Sequence, residues 1–212
     1  MGDSMLAYLQ GNGDALLFQL WTHLWVSLLA LAAAAAVGIP CGYLAAASPR
    51  YEKWVTGLFQ ILRVVPSLAL LILLIPVMGT GAPPAVTALT VLAVPPILLN
   101  TAAAFREVPA FMVEAGRGMG MTEGQILRRI RIPLALPLML AGVRTALVEV
   151  IASAALAAKI GAGGLGEIIF TGLGLNRADL LLTGGLAVAL LSLGCGGLFD
   201  LFCRRLLRYK YV

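Results

Sequence analysis

Gly161, Gly163 and Gly166 lie in the run GAGGLGEIIF with the G-x-G-x-x-G spacing that can cradle a dinucleotide pyrophosphate. That chemistry needs a strand before the glycines, a helix after them and an acidic residue about 20 positions on. Other side chains able to do chemistry are sparse. His23 is the single histidine, and Cys41, Cys195 and Cys203 are the three cysteines. An odd cysteine count without C-x-x-C spacing argues for apolar packing and against a disulfide or a zinc site, so no metal is expected. Arg63, Arg144 and Glu149 are charges inside apolar runs, where a charge needs a partner or a path. No G-x-x-x-x-G-K-[ST] phosphate loop occurs, and no catalytic residue is assigned.

The elements that carry these residues are set by composition. Of 212 residues, 60% are hydrophobic and 12% charged, against about half and a quarter in soluble domains. The expectation is an all-α integral membrane protein. Runs of about 20 apolar residues predict five transmembrane helices, over 19–47, 56–78, 84–105, 134–159 and 179–203. Pro66 and Pro76 are expected kinks in the second, and Pro95-Pro96 lies inside the third. Strand alternation is absent, which excludes a barrel. Without an internal repeat or linker, residues 1–212 read as a single transmembrane domain. The start, MGDSMLAYLQGNGD, lacks the basic region of a signal peptide and is expected to be retained.

The net charge of +5 is read by position. Arg50 and Lys53, then Arg106, Arg117, Arg128, Arg129 and Arg131, then Arg204, Arg205, Arg208 and Lys210 all fall on one side if five helices are threaded. By the positive-inside rule that side is cytoplasmic, with the N-terminus outside and the C-terminus inside. A nucleic-acid partner, which needs a basic soluble face, is not expected. GAGGLG then follows a membrane helix rather than a strand and lies outside, where nucleotides are scarce. Its glycines, including Gly164, are expected to allow sharp turning and close packing.

The longest polar stretch, 106–133, reads as two short helices with a glycine elbow. Pro109 can open the first, while Gly116, Gly118 and Gly120 weaken it. Thr122 and Gln125 form a T-x-x-Q capping box that starts the second. Pro133 is expected to end that helix or bend the chain into the membrane. Ile126, Leu127 and Ile130 share an apolar face flanked by arginines. Such a loop can lie on anionic membrane lipid or dock in a groove of a soluble partner.

Glu114-Ala115-Gly116, Gly120 and Ile130-Arg131-Ile132-Pro133 resemble, in type and spacing, the EAA motif of ABC importer permeases. Gly116 replaces the second Ala and Ile132 replaces Leu. With VPSLALL, PPILLNT, IPLALPLMLAGVRTA and IGAGGLGEIIF, the chain is similar along nearly its whole length to the osmoprotectant permeases, which serve glycine betaine, choline and carnitine. The resemblance implies a type I, MetI-like transmembrane domain in the bacterial cytoplasmic membrane. Its cytoplasmic ABC ATPase subunits would hold ATP-Mg and seat the coupling loop, so this chain would need no cofactor. A second permease half, identical or paralogous, and an extracytoplasmic solute-binding protein are implied as partners. On that reading Glu114, Ala115, Gly116, Gly120 and Thr122 form the docking elbow, with Ile130 and Pro133 anchoring it.

Two charges remain to be placed. Arg144 is expected to snorkel or to serve coupling. Glu149, deeper, could meet Arg63 across the bundle. Phe18, Trp21, Trp25 and Phe59 are the few aromatic candidates for holding a quaternary ammonium, and the first three fit an interfacial belt more simply. His23 has no evident partner. A methionine-type permease is the near rival. A secondary transporter or channel would be expected to show repeats or polar residues along a path.

Overall fold

Small residues on one stripe of the first helix decide how the bundle closes. A computed structural model describes residues 11–47, 49–62 and 64–207, apart from the side chains of 49–53, 56 and 62. Helix α1, Gly13–Ala47, buries His23, Ser27, Ala30, Ala34, Gly38, Gly42 and Ala45. These recur nearly every fourth position and so share one face. A Cβ on Gly42 would stand 2.6 Å from the Leu98 carbonyl oxygen, so only glycine lets the neighbouring backbone come that close. The neighbour is α4, Ala82–Arg106, whose Ala85, Ala88, Ala93, Leu98 and Ala102 are fully buried. On its other side, α4 meets α7, Ile132–Ala157, where a Cβ on Gly142 would stand 2.6 Å from Asn100 Cβ. The core is this α1–α4–α7 layer.

Four helical segments are long and apolar enough to cross a membrane: Gly13–Ala47, Ala82–Arg106, Glu123–Ile160 and Ala178–Leu206. The last is helix α9, and strands are absent among the described residues. The span expected at 56–78 is not one helix. It is divided into α2, Pro49–Leu62, and α3, Ser67–Met78. Pro66, at ψ 130, donates no N–H and forces Val65 away from helical geometry. Pro76 stays inside α3 and does not break it.

The ends of the helices identify two faces. On one, the Gly81 N–H donates to the Ile160 carbonyl at 2.8 Å, which joins the end of α3 to the end of α7. On the other, Tyr43 of α1 meets Phe105 of α4 edge to face, with ring centroids 4.9 Å apart. α2 begins beside the end of α1 on the second face, and α3 ends on the first. The two broken pieces therefore traverse the bundle together, at about 21 and 18 Å of helix.

Pro133 does not end its helix. Residues Glu123–Ile160 form one continuous 38-residue helical segment. The turn before the proline, Leu127–Arg131, is widened to a π turn, with the Ile132 N–H bonded to the Leu127 carbonyl. A proline would clash with the carbonyl four residues back in a tight α-helix, and the wider turn relieves that clash.

Candidate coupling elbow and glycine loop

Helix α5, Ala110–Gly118, opens at Pro109 and ends in a Schellman motif. The Met121 N–H donates to the Gly116 carbonyl at 3.1 Å and the Gly120 N–H to the Arg117 carbonyl at 2.9 Å. Gly120 has φ +78, the left-handed geometry this position demands. The chain then restarts at Thr122. Its hydroxyl accepts from the Gln125 N–H at 3.3 Å, while the Gln125 side-chain oxygen accepts from the Thr122 N–H at 2.8 Å. The sequence-predicted capping box is thus present at α6, Glu123–Ile126.

Gly116 and Ile130 are brought together. A Cβ on Gly116 would stand 2.7 Å from Ile130 Cδ1, with Ile126 and Met121 next nearest at 3.5 Å. Ile126 is fully buried and Ile130 half-buried. Arg117 Nε donates to Glu123 Oε1 at 2.8 Å across the elbow. That bond and the adjacent negative charge raise the Arg117 guanidinium above its ordinary pKa. Pro133 follows the π turn, one residue into α7. Opposite this packed side, Phe111, Glu114, Ala115 and Met119 are exposed, Phe111 at 66% and Met119 at 74%. Large apolar groups around a carboxylate on a short locked helix make a knob suited to a groove.

At the other face the glycine loop is clasped by α1. Gly161, Gly163 and Gly164 have φ of +79, +77 and +87. Gly161 closes α7 and the 3-10 turn Ala158–Ile160 with the same pair of Schellman bonds as Gly120. The Gly164 N–H donates to Gln19 Oε1 at 2.7 Å, and the Gln19 amide donates to Glu167. Gly166 opens helix α8, Gly166–Gly174, where a Cβ would overlap the Ala155 carbonyl oxygen. The G-x-G-x-x-G spacing therefore encodes left-handed turns and one close helix approach, with no strand leading into it. His23, for which the sequence offered no partner, is buried under Gly164, and its Nε2–H donates to the Ile151 carbonyl at 2.9 Å.

The intramembrane charges separate. Arg144 Nε donates to Asp200 Oδ1 of α9 at 2.6 Å, a partner that sequence reasoning missed. Glu149 lines a cavity of about 280 Å³ beside the α2–α3 break. The expected Arg63–Glu149 pair involves Arg63, which lies outside the described residues. Phe18, Trp21 and Trp25 are exposed on α1 and build no cage there.

Comparisons with known proteins agree with this architecture. Residues 38–208 match the family model described as binding-protein-dependent transport system inner membrane component. A carnitine transport permease protein, OpuCB of Listeria monocytogenes, is 45% identical over 191 residues, covering 90% of this chain and 88% of that one. A glycine betaine/carnitine/choline transport system permease protein of Bacillus subtilis is 38% identical over the same shares. Among solved structures, the inward-facing MetNI methionine ABC transporter aligns at a TM-score of 0.77 with 27% identity, covering 92% of this chain and 95% of that chain.

Proposed function

Because the chain belongs to the binding-protein-dependent transport system inner membrane components, we propose that it is the permease half of an ATP-driven importer of quaternary ammonium osmoprotectants. Members of this family are transport components and not enzymes. Glycine betaine, choline and carnitine are the proposed solutes, supported by the names of relatives 45% and 38% identical. Methionine, the solute named for the 27% identical structural relative, is the rival.

The observation that carries the reading is the exposed α5 knob locked by Gly120, Gly116 and Ile130 to a helix of membrane-spanning length. An ATPase that grips α5 would pull on that helix with little slack. ATP-Mg would be bound and hydrolysed on that partner. A second permease half would complete the path, and a solute-binding protein would deliver from the glycine-loop side. The basic elbow face is proposed as cytoplasmic in the bacterial inner membrane, with the N-terminus outside.

The test is affinity purification from native membranes in mild detergent. An ABC ATPase is expected with the wild type and is expected to be lost with Glu114→Lys, which inverts the charge at the centre of the knob. Failure to find the ATPase with an intact wild-type complex would sink the coupling role. Uptake of labelled choline and of labelled methionine by the reconstituted transporter then chooses between the solutes.

A further inference from the structure

Non-helical backbone at membrane depth is tolerated where it faces protein or lines a cavity. The α2–α3 break does the latter. Val65 and Ser67, on either side of Pro66, line the 280 Å³ cavity with Leu89 and Leu92 of α4 and Glu149 and Ser153 of α7. Glu149 and Ser153 are four residues apart and so share a helix face. Glu149 lies about 16 Å along the helix from Ile160, half the ~30 Å hydrocarbon thickness. It is itself exposed.

From this geometry we infer that the cavity is a station for the trimethylammonium group of the solute. The chemistry of the lining selects that group. An inorganic cation wants several oxygen ligands, and here one carboxylate and two hydroxyls share the wall with valine and leucines. A quaternary ammonium has no N–H to satisfy. It needs negative charge nearby and apolar surface around its methyls. Glu149 supplies the first, and Val65, Leu89 and Leu92 supply the second. Glu149 already makes an interaction within the chain, and the cation would approach it from the cavity side. The inference rests on the osmoprotectant reading for its ligand, while the charge preference of the cavity is measurable without it.

The test places a thiol in the cavity. Ser153→Cys is made in the full chain with Cys41, Cys195 and Cys203 replaced by Ser, co-expressed with its transporter partners. Trimethylammonium-ethyl and sulfonato-ethyl methanethiosulfonate are applied from both membrane faces. Relative to their rates with a free thiol, the cationic reagent is expected to react about tenfold faster or more. Glu149→Gln is expected to bring the two rates together, and Glu149→Asp to keep them apart. Should Glu149→Gln not accumulate, protection decides. Millimolar tetramethylammonium is expected to slow labelling by uncharged N-ethylmaleimide several-fold where equal sodium does not. Equal rates, a preference indifferent to Glu149→Gln, no protection, or an unreactive thiol would each overturn the station. If the preference stands and the wild-type transporter imports no quaternary ammonium solute, the functional reading fails and the cation site survives.

Discussion

Single glycines in this chain carry distinct and separable loads. Gly166 has none of the space a side chain needs, because the Ala155 carbonyl occupies it. Gly166→Ala is expected to cost about 1–3 kcal/mol and to lower the thermal midpoint in detergent. Gly185→Ala, on α9 with nothing within 4 Å, is expected to leave the midpoint unchanged or slightly higher. Gly120 is different again, since its demand is conformational. Gly120→Ala is expected to cost about 1 kcal/mol through a left-handed φ, and Thr122→Ala about as much through the lost cap. Both are expected to weaken ATPase retention while the membrane helices still fold, which pull-down and thermal unfolding run side by side would show. Gly116→Ala, at the family's second alanine, meets only the mobile tip of Ile130, so retention is expected to hold.

Between helices, the pair Arg144–Asp200 links the elbow-bearing segment to α9. Removing either partner leaves a charge without its counterion in an apolar setting. Arg144→Gln and Asp200→Asn are each expected to lower the thermal midpoint. The double variant is expected to be no worse than the poorer single, and the exchange Arg144→Asp with Asp200→Arg to recover part of the loss. Additive single effects would show that the two do not act as a pair. This pair was not legible in the sequence, because 56 positions separate its members and only packing reveals the facing stripe. The capping box was legible, because all its atoms lie within four residues. The α2–α3 break was half legible. Pro66 was visible as a kink, but apolar residues continue through it, and hydropathy cannot tell a bend from a division. The π turn left no sequence signal beyond Pro133, which elsewhere does end helices.

For the molecule as a whole, the two faces found in the fold constrain how it crosses the membrane. If only the four long segments crossed, the arginine-rich elbow and the glycine loop would follow a different count from the one that places all the basic clusters on one side. On the positive-inside count the broken α2–α3 piece is therefore expected to cross as a unit. Cysteines introduced at Gly57 and at Gly79, on a background without native thiols, are expected to label from opposite sides of the membrane with impermeant reagents. Labelling of both from one side would sink the threading. The same experiment with Gly118 and Gly174 fixes which face is inside, with Gly118 expected to react only from the cytoplasm.

The unbroken segment from Glu123 to Ile160 is a rod with a worn spot near its middle, where Gly142 lets it lie directly on Asn100 and the Pro96 carbonyl of α4. A rod bearing on a neighbour at mid-length behaves as a see-saw. A tilt applied at the elbow displaces the glycine-loop end by a similar amount in the opposite sense, and Gly166 carries α8 along through its seat on Ala155. On the importer reading, opening on one side and closing on the other would then be one rotation viewed from its two ends, with no separate signals needed.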